Sequence, residues 1–292
     1  MKLDNFNLMV KLAILKFGKI DEDFLGEILG VVEECYSRFK DFQPSLVDFY
    51  VFEKASVMEA FILNEKKNLN ILTSNFEESF FAAHDAWYGI PRIIVCIEKM
   101  KNLPKIVVIG GLRHEVAHTI LHGSPEYYFL TLNKPLKEAK KAYNLSTKIV
   151  NNIFYLTSIA VKDYEVTRLL YEKGGYVEDQ IAYCKYYLKP SFEEKVAWEI
   201  AKTNNLTKLI FLVSILKNLC CIAPFLKEEN YSLNIKKDLD KSLTYLPEKL
   251  KQKILSIIEE TEKLGFDTQK NIEFLSQIIV EKLLKPLLSS KD

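Results

Sequence analysis

Strand-forming runs occupy one short stretch of this 292-residue chain, and helical periodicity takes over almost everything after it. LVDFYVFE (46–53), SFFAAHDAW (79–87) and PRIIVCIEKM (91–100) are rich in β-branched and aromatic residues, and turn formers such as Gly89-Ile90-Pro91 separate them. The intervening SVMEAFILNEKK fits a helix or a strand equally well. From about residue 104 the sequence reads as helix after helix: KIVVIGGLRHEVAHTILHG with stop signals at Gly123 and Pro125, residues 147–173 closed by Gly174-Gly175, and four further segments. Residues 1–45 also look helical, with Asp21 as a cap for DFLGEILGVVEECYSRF. Strands first and helices afterwards predict an α+β fold, a small mixed sheet packed on the 104–123 helix and on the 147–173 helix.

Composition narrows the function classes. Apolar residues make up 48% of the chain and charged residues 27%, values of a globular protein. A net charge of +1 gives no basis for a nucleic-acid surface. Five scattered cysteines without a CxxC read as reduced thiols, and the N-terminal residues lack the basic region of an export signal, so a cytoplasmic location is expected. The apolar stretch 209–226 is interrupted by Lys217 and Asn218, short of the ~20 residues of a membrane span, and reads as a buried helix.

Three of the four histidines fall on successive turns of one segment, His114, His118 and His122. His114-Glu115-Val116-Ala117-His118 is HExxH, a zinc-metalloprotease signature. Residues i and i+4 share a helix face, so two imidazoles can converge on one ion, while Glu115, rotated by ~100°, can act as general base toward a metal-activated water. At this chain's histidine and glutamate content, chance yields the pattern about once in two hundred such sequences. His122 lies ~12 Å along the helix from His114, too far to share the ion, and is expected to support the ligands or end the helix.

A third ligand must come from elsewhere, and VKDYEVTRLLYEKGG offers Asp163 and Glu165. On a helical wheel Asp163 shares its side with Leu156, Ile159, Ala160, Val166, Thr167 and Leu170. Glu165 falls roughly opposite, beside Lys162, Arg168 and Glu172. A carboxylate on an apolar face needs a partner, and a metal ion is one, so Asp163 is preferred with Glu165 kept open. His84, the remaining histidine, reads as a hydrogen-bonding residue or a transition-state donor. Tyr127, Tyr128, Tyr155 and Tyr164 are further oxyanion-donor candidates, and Arg113 and Arg168 can pair with carboxylates or face water.

HEVAHTILHG, with the downstream acidic-x-acidic segment, resembles the gluzincin clan of zinc metallopeptidases, including the archaeal minigluzincins and the ImmA/IrrE-type proteases. The resemblance spans roughly residues 46–175. It implies a ligand at Asp163, a polar partner at Thr167, and a peptide held along an edge strand beside the HExxH helix, for which PRIIVCIEKM is a candidate. The ligand is Asp where that family has Glu, and the spacing from His118 is longer.

These readings together predict an N-terminal helical segment (1–45), a zincin-like core (46–175) and a C-terminal helical region (176–292). The expected protein is a metallopeptidase with one Zn²⁺ on His114, His118 and Asp163 or Glu165, acting on a peptide or protein substrate, with neither nucleic acid nor membrane as partner. The alternative is a silent or self-blocked zincin-fold binding or regulatory protein with a structural metal, since the C-terminal helices exceed what the chemistry needs. The oligomeric state is not legible in the sequence.

Overall fold

The computed structural model of the chain describes residues 10–40, 42–69 and 80–289. The fold is α+β, mostly helical, with one small four-stranded mixed sheet. The chain divides into two compact units, Met1–Leu130 with Glu172–Gln180, and Thr131–Tyr171 with Ile181–Asp292. These boundaries differ from those expected at 45 and 175. The sheet and the HExxH helix share a unit with the N-terminal elements, whereas Asp163 belongs with the C-terminal helices.

The first unit runs β1 (Lys11–Phe17), α1 (Glu22–Arg38), β2 (Leu46–Phe52), α2 (Ala55–Asn68), β3 (Ala82–Asp85), β4 (Arg92–Cys96), a single turn α3 (Ile97–Met100) and α4 (Lys105–Leu121). The strand order is β1-β2-β4-β3; β1, β2 and β4 are parallel and β3 is antiparallel to β4. Residues 1–45 are therefore not uniformly helical. KLAILKF forms β1, because a short apolar run is ambiguous until a partner pairs with it, and that partner, β2, lies 35 residues onward in register. The undecided segment 56–67 is helical, with Met58 and Ile62 one turn apart packing on Phe52, Ile94 and Cys96.

All five residues of β4 are buried, as expected of an interior strand with both faces covered. β4 is thus an inner strand, and the edge position next to it is taken by β3. The turn joining them uses Gly89 at φ +87°, a conformation that other residues resist. Arg92 begins β4 yet is 2% exposed. It donates to Asp85 Oδ2 (2.7 Å) and to both oxygens of Glu65 (3.0 and 2.5 Å), so the buried guanidinium is paired with two carboxylates. That network anchors Asp85 at the end of β3, directly beside His84.

The described residues of the second unit form helices: α5 (Lys134–Ala142), α6 (Thr147–Glu172), α7 (Glu178–Leu188), α8 (Phe192–Ala201), α9 (Asn205–Ile222), α10 (Glu229–Ser242), α11 (Glu248–Glu260), α12 (Thr268–Ile279) and α13 (Lys285–Ser289). The first residues of α7 and the last of α6 fall in the first unit. Side chains of Asn133, Ser191, Asn204 and Asp267 cap α5, α8, α9 and α12, each accepting from a backbone N–H of the first turn. The segment Asn205–Lys227 is long and apolar enough to cross a membrane by length and composition. Its most apolar window, however, is 78% buried inside the protein, as befits a core helix.

Candidate metal centre

α4 carries the HExxH sequence, and most of its middle is buried. Gly110, Gly111, Leu112, His114, Glu115, Val116, Ala117, His118 and Thr119 are all buried. Two contacts within the first unit hold it in place. Gln180 Nε2 donates to the Gly110 carbonyl (2.9 Å), and the Tyr36 hydroxyl on α1 meets Thr119 Oγ1 at 2.5 Å. The helix ends where Gly123 follows the last turn. A Cβ built on Gly123 would lie 2.1 Å from the Thr119 carbonyl oxygen, so no side chain fits there. Gly123→Ala is expected to lower stability by ~2 kcal/mol in chemical denaturation, because the chain leaving α4 must shift.

One helical turn brings the two imidazoles face to edge. Nε2 of His114 and Nε2 of His118 are 3.1 Å apart, in side chains only 4% and 1% exposed. Two nitrogens bound at ~2.05 Å to one tetrahedral ion would stand about 3.3 Å apart, so the observed spacing is close to that of two ligands on one metal. The Glu115 carboxylate lies beside them and is 5% exposed.

β3 supplies a group that the sequence could not place. His84 Nδ1 is 2.7 Å from Glu115 Oε2, and the His84 ring stacks flat on His118, centroids 3.6 Å apart and planes 11° apart. The expected structural hydrogen bond of His84 is therefore made to the candidate general base. Tyr128 lies near the same edge, with its ring 6.3 Å from that of His84. Burial, reinforced by the charges of Asp85 and Glu115, pushes its phenol well above the usual tyrosine range, so Tyr128 is a neutral donor. Tyr127 instead packs edge-on against His122 at 5.1 Å.

His122 both ends α4 and touches a candidate ligand. Its Nδ1 lies 3.1 Å from His118 Nδ1, and it is fully buried. When His118 presents Nε2 to an ion, its proton sits on Nδ1 and donates to His122, which fixes the tautomer and ring angle. His122→Ala is expected to weaken metal binding ~10–100-fold without changing stoichiometry, measured by competition with a chromophoric chelator.

The two acidic candidates on α6 have different fates. Glu165 is 5% exposed, not on an open face. The Asn271 amide donates to Oε1 (2.5 Å) and the Thr268 hydroxyl to Oε2 (2.8 Å), so both oxygens are engaged by α12. Lys162 and Arg168, which share that side of α6, are buried as well, and Arg168 donates to the carbonyls of Leu264 and Gly265. Asp163, in the second unit, is partly buried. Thr167 sits with its hydroxyl 3.4 Å from Cys221 Sγ. Arg113, next to His114, is paired with Glu34 and Asp179 and stacked on Tyr176.

No family model, curated protein or solved structure matches this chain. The functional reading therefore stands on the residues themselves. His114, His118 and Asp163 are residue types that could hold a metal ion, since imidazole and carboxylate donors suit borderline divalent ions.

Proposed function

We propose that this protein is a metal-dependent peptidase of zincin type, with His114, His118 and Asp163 holding one Zn²⁺ and Glu115 serving as general base. The observation that carries the reading is the convergence of the two buried Nε2 atoms, 3.1 Å apart, next to a buried carboxylate. The ion, when bound, lowers the pKa of a coordinated water toward neutrality and polarises a carbonyl oxygen. The same donor set on iron serves oxygenases; the adjacent carboxylate of Glu115 is what favours hydrolysis.

The chain's own residues divide the remaining work. Glu115 takes a proton from the attacking water and returns it to the leaving amine. His84 holds Glu115 Oε2, so Oε1 would be the oxygen that takes the proton. Tyr128, kept protonated by burial, is a donor for the developing oxyanion. A peptide added alongside β3, the sheet-edge strand that carries His84, would run past α4. Five cysteines present as free thiols fit a reducing, cytoplasmic setting.

A second reading, a latent peptidase, has one observation behind it: Glu115 is only 5% exposed. Incubating zinc-loaded protein with a mixed library of internally quenched peptides tests both. The first reading expects cleavage that a chelator abolishes and one equivalent of zinc restores. Stoichiometric zinc with no cleavage favours latency, and absence of bound metal overturns both.

A further inference from the structure

We infer that Cys184 and Cys221 are a redox pair that closes into a disulfide when the protein meets a peroxide. The two sulfurs lie 3.1 Å apart, closer than two non-bonded sulfur atoms usually approach, on α7 and α9 of the second unit. The other cysteines differ from them in setting. Cys35, Cys96 and Cys220 are each 0% exposed, whereas Cys221 retains 7% and Cys184 2%. Burial also drives the Cys220 thiol far above the usual range, which keeps this direct neighbour of Cys221 a thiol.

Position therefore selects the reacting sulfur. Cys221 is the more accessible member of the pair, and Thr167 Oγ1 at 3.4 Å can donate a hydrogen bond that favours its thiolate. The thiolate attacks one oxygen of hydrogen peroxide, the O–O bond breaks, and the departing hydroxide takes up a proton to leave as water, giving a sulfenic acid at Cys221. The Cys184 sulfur then attacks the Cys221 sulfur, forming the S–S bond and releasing a second water as the Cys184 proton leaves with the hydroxyl. Peroxide is reduced by two electrons and the two thiols are oxidised by two. The product ties α7 to α9, closing a long loop of chain and restricting the unfolded state. The inference does not depend on the metal reading.

The test uses full-length protein treated with a modest excess of hydrogen peroxide, then denatured, alkylated and digested without reductant. The expected result is a single cross-linked peptide pair containing Cys184 and Cys221, with alkylatable thiols falling from five to three. Melting temperature should rise by roughly 5 °C or more and return after reduction. Five thiols remaining, a link through Cys220, or sulfinic acid at Cys221 without a cross-link would each overturn the assignment. Because the reading comes from the wild-type chain, it does not rely on a cysteine variant folding.

Discussion

Glu115→Gln is expected to lower peptide hydrolysis by at least ~10³-fold while the protein still binds one zinc ion per chain. The substitution keeps the size of the side chain and its ability to hydrogen-bond, but removes the basic oxygen that must take a proton. The His84 contact is retained, since Nδ1 of His84 lies 2.7 Å from Oε2 and an amide oxygen can still accept there. A fall in rate with unchanged metal content thus isolates proton transfer from metal binding. The control is His84→Asn, whose amide nitrogen can replace Nδ1 as the donor to Glu115. It should keep much more activity than His84→Ala. Equal losses in the two variants would mean that His84 does not act through that hydrogen bond.

The second large effect separates the two acidic residues of α6. Asp163→Ala should weaken zinc binding at least ~10²-fold. Glu165→Ala should leave zinc binding nearly unchanged and lower the stability instead. It strands the Asn271 amide and the Thr268 hydroxyl, whose bonds to Glu165 measure 2.5 and 2.8 Å, at a cost of about 3 kcal/mol in stability. Zinc titration on the two variants, with urea unfolding of Glu165→Ala, tests this assignment, and only loss of zinc confined to Asp163→Ala fits it. Loss of zinc in Glu165→Ala with stability intact would reverse the ligand choice.

Local chemistry was legible in the sequence where it depends on nearby residues. The i, i+4 histidines required a helix, and α4 spans Lys105–Leu121 with both on one face. The stop at Gly123, the turn at Gly89 and the cap at Asp21 follow from single residues and their neighbours. Reading β1 as a helix shows the opposite case. KLAILKF is a strand only because Leu46–Phe52 pairs with it, and no local signal carries that information. The same holds for Glu165. Its helical-wheel position beside Lys162, Arg168 and Glu172 gave no partner, but a helix more than 100 residues onward supplies Asn271 and Thr268. His84 is the clearest instance at the site. Its pairing with Glu115 spans 31 residues and is set by the position of β3 at the sheet edge beside β4. The paired burial of Arg92 with Asp85 and Glu65 was equally invisible, since three charged residues up to 27 positions apart carry no common pattern.

Most of the account depends on one ion lying between His114 and His118. X-ray absorption at the zinc edge of the stoichiometrically loaded protein measures this directly. The account predicts one zinc per chain with two imidazole nitrogens near 2.0 Å, oxygen in the remaining positions and no sulfur, with the imidazole signal lost in His118→Ala. A shell containing sulfur, or an imidazole signal unchanged by His118→Ala, would contradict it.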